Sequence, residues 1–159
     1  MEWTGLRQSS LFGWLCCACL ISWTLWGGSA SAAEIDPARL LSAIAQVETG
    51  GQPNPDGTVT IETLPDGQHT ISRGRYQIAE TTWRMFTRLH LNWAAEPGRA
   101  QGVALLILLD CGKWYPKAWA SGNVVRIAYC YTAGRNAKAY RRQAKLETAR
   151  KVVRAYEGS

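Results

Sequence analysis

Beyond residue 34 the apolar positions recur at helical spacing, interrupted once by two short β-rich runs. Asp36-Pro37 predicts a helix start, with Asp as N-cap and Pro in the first turn. The run Leu40 to Glu48 continues it, and Gly50-Gly51 ends it. Pro53 to Gly57 reads as a loop. Thr58–Leu64 and Gln68–Ser72 flank Pro65-Asp66-Gly67 and predict a hairpin, Asp66 being a turn residue. If Leu64 lies opposite Gln68, Glu62 faces Thr70 and Thr60 faces Ser72. Helical patterning resumes from Ala79 to about Leu91, and again from Pro97 to Asp110. That second stretch is apolar nearly all round, which predicts a central buried helix. A further helix spans 123–133 and stops at Gly134. The last runs from Asn136 to Tyr156, with Tyr140, Ala144, Val152, Val153 and Tyr156 inward. The expected class is α+β, mainly helical, with one small hairpin.

The first 33 residues pattern differently. Arg7 precedes an apolar run from Leu11 to Trp26, and Gly27 to Ala33 are small or hydroxylated. This is the layout of a secretory signal peptide over 1–33, with cleavage expected before Glu34. An uncleaved membrane anchor is the alternative, because the run nears the length of a short spanning helix. The expected location is therefore secreted or periplasmic, with membrane contact only through this segment. Residues 34–159 suit a single domain with one core. The chain carries a net charge of +6, which also holds for 34–159 alone, since only Glu2 and Arg7 lie before it. A basic exported domain suits an anionic wall polymer better than nucleic acid.

Cys16, Cys17 and Cys19 fall in the leading segment, leaving Cys111 and Cys130. An even count in an exported chain predicts a disulfide, here tying the end of one helix to the middle of the next. Two buried thiols are the other reading. His69 and His90 stand apart without ligand-like spacing, so neither metal nor cofactor is expected.

Glu48 carries the candidate chemistry. It shares a helix face with Leu41 and Ile44, at i, i+3 and i+7. A carboxyl group on an inward face is costly unless it is paired or holds its proton near neutral pH, and a held proton is what a general acid needs. An exposed helix-end glutamate before a glycine cap is the plainer reading.

Three ordered segments bear on that choice: Glu48-Thr49-Gly50-Gly51, Gly74-Arg75-Tyr76-Gln77-Ile78 and Tyr131-Thr132-Ala133-Gly134. They resemble the E-S-G, G-x-x-Q-I and Y-N-A-G segments of soluble lytic transglycosylases and related lysozyme-fold enzymes. The resemblance covers roughly residues 37 to 140. It implies a lysozyme-like catalytic domain over 34–159, with the hairpin forming one wall of a cleft. It also implies an exported enzyme that cuts the MurNAc–GlcNAc β-1,4 bond of peptidoglycan strands. Glu48 would protonate the glycosidic oxygen, then take a proton from the C6 hydroxyl as a 1,6-anhydro ring closes. In two-carboxylate lysozymes a second acid lies two residues before the glycine of G-x-x-Q-I; here that position is Ser72, which cannot carry the charge. Glu62, on the same hairpin face as Ser72, is a possible displaced second carboxylate, which would make the chain a hydrolytic muramidase. A solvated strand glutamate is the commoner explanation of Glu62. Gln77 would contact the glycan or fix the cleft floor, and Tyr131 would place its hydroxyl near Glu48. Thr132 replaces the usual Asn of its segment, which weakens any substrate bond there. One tryptophan at most among Trp83, Trp93, Trp114 and Trp119 should line the sugar sites. The basic run Arg135, Lys138, Arg141, Arg142 and Lys145 either approaches wall polymer or is a solvated helix face. A wall-binding module without turnover is the reading from another class.

Overall fold

The computed structural model describes residues 34–64, 66–134 and 142–159. The expected signal segment lies outside them, as do Arg135, Lys138, Tyr140 and Arg141 of the basic run and last helix. The described residues form a mainly helical α+β domain with a small antiparallel sheet.

Helix α1 spans Pro37–Thr49. The Asp36 carboxylate accepts from the N–H groups of Ala38 and Arg39 at 2.9 and 3.3 Å, which satisfies two donors that the first turn leaves open. Gly50, at φ +60°, closes the helix with N–H bonds back to its last turn. Leu40, Leu41 and Ile44 enter the core with Trp83, Leu108, Ile127 and Val152.

Strands β1 (Val59–Thr63) and β2 (His69–Arg73) pair antiparallel with Glu62 opposite Thr70 and Thr60 opposite Ser72, the register expected from the turn. Asp66 accepts from Gln68 N–H at 3.1 Å and so acts as the turn residue. The hairpin is not alone. A third strand, β3 (Ile78–Ala79), pairs with β2, a two-residue element too short to show alternation in the sequence. The chain reaches β3 through a tight turn at 74–77, where Gly74 and Gln77 both adopt positive φ and Gln77 N–H bonds Gly74 O at 3.0 Å.

A bidentate ion pair, Arg75 to Asp56 at 2.6 Å, ties this turn to the 3₁₀ turn Pro55–Gly57. The guanidinium holds the Asp56 carboxyl below its usual range, mainly through the hydrogen bond. A depressed folded value means the pair's stabilisation is present above the unfolded pKa and is lost as pH falls through the folded one. Asp56→Asn should therefore cost about 1 kcal/mol at pH 7, a partly exposed pair being screened by water, and the difference from wild type should shrink in acid. Thermal melts at pH 7 and pH 3 check this.

The remaining helices are α2 (Glu80–Phe86), α3 (Pro97–Trp114), α4 (Pro116–Ala120), α5 (Val124–Ala133) and α6 (Arg142–Glu157). Four expectations need correction. α2 stops five residues before Leu91, because the indole N–H of Trp83 bonds Leu89 O at 2.7 Å and Thr87 turns extended; a 3₁₀ turn at Leu91–Ala95 follows. α3 runs a turn past Asp110, and it is not enclosed: Leu106 and Leu109 are 48% and 42% exposed. α4 had no counterpart in the pattern. In α6, Ala144 is exposed, and the inward stripe is Lys145, Ala149, Val152 and Tyr156, at i, i+4, i+7 and i+11.

α6 packs across α1 and α5, and its end is latched to α1. Asp36 N–H bonds the Tyr156 hydroxyl at 3.2 Å, and Arg39 lies over the Tyr156 ring while its guanidinium bonds Ser159 O at 2.8 Å.

Cys111 and Cys130 form a disulfide with a Cα–Cα separation of 5.9 Å. It joins the last turns of α3 and α5, with α4 between them, rather than a helix end to the middle of its neighbour. The loop it closes has a sequence separation of 19, for which chain entropy gives about 3 kcal/mol. Both cysteines are at most 3% exposed, so reduction needs the fold to open. Replacing both by Ser should lower the melting temperature by roughly 10 °C. Thiols that alkylate freely in the native protein would contradict the bridge.

Candidate active cleft

A cleft of about 710 Å³ opens between the hairpin and the ends of α1, α3 and α5, within the size range of ligand sites. Segments far apart in sequence line it: the end of α1, the hairpin, β3 and α2, the second half of α3, the end of α5 and the first turn of α6.

Glu48 sits in the last turn of α1, half-buried and lining the cleft. Its neighbour Thr49 is buried, and the Thr49 hydroxyl donates to Ala45 O at 2.7 Å, which satisfies that buried hydroxyl. Burial pushes the Glu48 carboxyl above the usual glutamate value of 4.5, while the positive charge of Lys145 works the other way. The glutamate thus has the environment of a proton-holding acid.

Tyr131, on α5, reaches the same place. Its hydroxyl donates to Tyr76 O at 3.4 Å and lies within electrostatic reach of Glu48. Burial, then the nearby Glu48 charge, pushes the phenol well above its ordinary value, so it stays a neutral donor. The disulfide fixes Cys130 next to it, and both cysteines border the cleft.

The hairpin presents Thr60, Glu62, Leu64, Gln68, Thr70 and Ser72, which alternate along its two arms, to the cleft, and His69 and Ile71 of β2 border it too. Ser72 is half-buried there, and Glu62 stands on the same face. Gln77 borders the cleft with its amide N–H₂ engaged by backbone, donating to Gly74 O at 2.8 Å and Thr58 O at 3.4 Å. It fixes the floor by holding the turn to the start of β1. Thr132 also borders the cleft, but its hydroxyl is turned to its own helix, donating to Ala128 O at 3.1 Å.

No tryptophan lines the cleft among the described residues: Trp83 is core, and Trp93 and Trp114 are exposed elsewhere. The aromatic rings that line it are Phe86 and Tyr131.

Glu80, Asp110 and Lys145 line the cleft without having been read as cleft residues in the sequence, and the last two are the more informative. Asp110, on α3, reads in sequence as the end of an apolar helix. Lys145 reads as one more residue of a basic face, yet it is the first position of the inward stripe of α6. Spacing from Ala149 and Val152 was the available clue to Lys145. Asp110 had no such clue beyond lying between Ile107 and Cys111.

Compared with protein-family models, with curated proteins and with solved structures, the chain matches none.

Proposed function

We propose that the protein is an exported peptidoglycan-cleaving enzyme with a lysozyme-like fold, acting as a lytic transglycosylase on the MurNAc–GlcNAc β-1,4 bond. The observation that carries this reading is a half-buried glutamate, proton-affine through burial, lining an open cleft beside a hairpin and a half-buried tyrosine. The ordered segments around Glu48, Gln77 and Tyr131 supply the substrate class.

In this mechanism Glu48 gives its proton to the glycosidic oxygen as the C1–O4 bond breaks, so the leaving sugar departs as an alcohol. Positive charge grows at C1 and the ring oxygen. The Glu48 carboxylate then accepts the proton of the C6 hydroxyl, O6 bonds to C1, and the glutamate regains its starting form. No water is consumed. The neutral Tyr131 hydroxyl, its one proton given to Tyr76 O, offers its oxygen to accept a hydrogen bond from the protonated carboxyl group or from the sugar. Thr60, Thr70 and Gln68 offer hydrogen-bonding groups to hydroxyl and acetamido substituents. With Ser72 on the cleft wall, no carboxylate stands at the position of the two-carboxylate enzymes.

Glu62 favours a second reading. It lies on the cleft face of β1, so a hydrolytic muramidase with its second acid on the hairpin fits the same wall. Mass spectrometry of glycan released by the purified protein separates the readings. Anhydro ends are expected; reducing ends would favour hydrolysis, and tight binding without release would favour a non-catalytic wall-binding module.

A further inference from the structure

We propose that Lys145 is a subsite for a carboxylate carried by the substrate next to the bond that Glu48 protonates. This rests on the glycan-cleaving reading of the cleft and goes beyond it by naming a charge the glycan must bear. The first observation is positional. Ala149, Val152 and Tyr156 make the inward stripe of α6, and Lys145 continues that stripe by one more turn. An inward position at helical spacing is where an apolar residue is expected, and lysine is seldom buried without a partner. Here it is half-buried and opens into the cleft instead of into solvent.

The second observation is the company it keeps. α1 ends its own inward stripe in Glu48, and α6 packs directly on α1, so two helices bring opposite charges to one wall. Among the described residues, the other titratable groups lining the cleft are Glu62 on β1, His69 on β2, Glu80 on α2, Asp110 on α3 and Tyr131 on α5. Of these carboxylates Glu80 is paired with Arg84 at 2.6 Å, and Lys145 is the lysine or arginine that lines the cleft among the described residues. Lys145 marks the place where a substrate carboxylate is attracted, and that place adjoins the acid.

Occupancy of this subsite would also act on the reaction. The Lys145 charge lowers the proton affinity of Glu48. A substrate carboxylate seated on Lys145 offsets that charge, so the acid holds its proton more firmly when an acidic glycan is bound than when a neutral one is. A carboxylate on the sugar itself and one on an attached peptide share this chemistry.

The test uses full-length Glu48→Gln protein, which binds without turnover, and calorimetry at low salt with three probes of equal length. These are a neutral GlcNAc oligosaccharide, a peptide-free MurNAc-containing oligosaccharide with a free lactyl carboxylate, and its peptide-bearing form, in which that carboxylate is an amide. The peptide-free acidic probe should bind about tenfold tighter than the neutral one. Adding Lys145→Met should bring the ratio to within about twofold, Lys145→Arg should retain it, and Lys151→Met, on the exposed side of α6, should leave it unchanged. A preference kept by the peptide-bearing probe assigns the carboxylate to the peptide; a preference lost there assigns it to the sugar. Equal binding of acidic and neutral probes, or a preference that survives Lys145→Met, overturns the subsite. Binding of no probe overturns the subsite and the glycan reading together, whereas a Lys145-dependent preference without cleavage by wild type overturns the enzyme reading alone.

Discussion

Replacing Glu48 by Gln should lower turnover by about two orders of magnitude or more, with the fold intact. Glutamine keeps the shape and the hydrogen-bonding ends of the side chain but has no acidic proton to give and no basic oxygen to take one back. The same substitution should make the protein more stable at pH 7. Burial raises the folded-state pKa of Glu48 above 4.5, so the folded chain binds its proton more tightly than the unfolded chain does. Stability then falls as pH rises from about 4.5 through the folded value and stays lower above it. Glutamine escapes that loss, so the gap between variant and wild type should be present at neutral pH and vanish below about pH 4.5. Melts across that range, beside rates of wall lysis, check both halves. A variant that is inactive but no more stable at pH 7 would place Glu48 in water rather than in a desolvated site.

Gly74→Ala should cost about 3 kcal/mol or more, with a drop of roughly 10 °C in melting temperature. Two effects add at this position. Gly74 has φ +74°, where a side chain is strained, and a Cβ there would lie 2.0 Å from Ala94 O. The obstacle is backbone of the 3₁₀ turn at Leu91–Ala95, so no rotamer change relieves it. Gly50 separates the two effects. It has φ +60° with nothing within 4 Å of its Cβ position, so Gly50→Ala should show the backbone strain alone, about 1 kcal/mol. Activity should also fall in Gly74→Ala, because the displaced turn carries Gln77 and the Tyr76 carbonyl to which Tyr131 donates. Comparable melting temperatures for the two variants would contradict the close approach.

What was legible in the sequence were features set by local chemistry. Asp36-Pro37 and Gly50 bound α1 as caps do, and the Asp66 turn sets the register that puts Glu62 and Ser72 on one face. The pairing of Cys111 with Cys130 followed from parity alone. What was not legible depends on tertiary contact. α2 ends early because Trp83 captures Leu89 O, a bond between residues with no breaker between them. β3 exists because Gly74 and Gln77 fold the chain back onto β2, and two residues carry no period. The apolar run in α3 suggested enclosure on all sides, yet Leu106 and Leu109 face outward, since hydrophobicity all round does not say which sides have neighbours. Within the cleft, Glu48, Tyr131 and the hairpin face were readable from face and motif. Lys145 and Asp110 enter it only through the packing of α6 and α3 beside α1.

The claim that Glu48 acts alone as acid and base is tested most directly by one comparison. Purified wild type, Glu48→Gln and Glu62→Gln are incubated with peptidoglycan, and the released glycan is quantified and weighed by mass spectrometry. Glu62→Gln should retain activity within about tenfold, a loss under about 1.4 kcal/mol in transition-state stabilisation, and its products should carry 1,6-anhydro ends. Glu48→Gln should release almost nothing. A Glu62→Gln protein as inactive as Glu48→Gln, with reducing ends in the wild-type products, would contradict the single-acid mechanism and make the hairpin glutamate the second carboxylate of a muramidase.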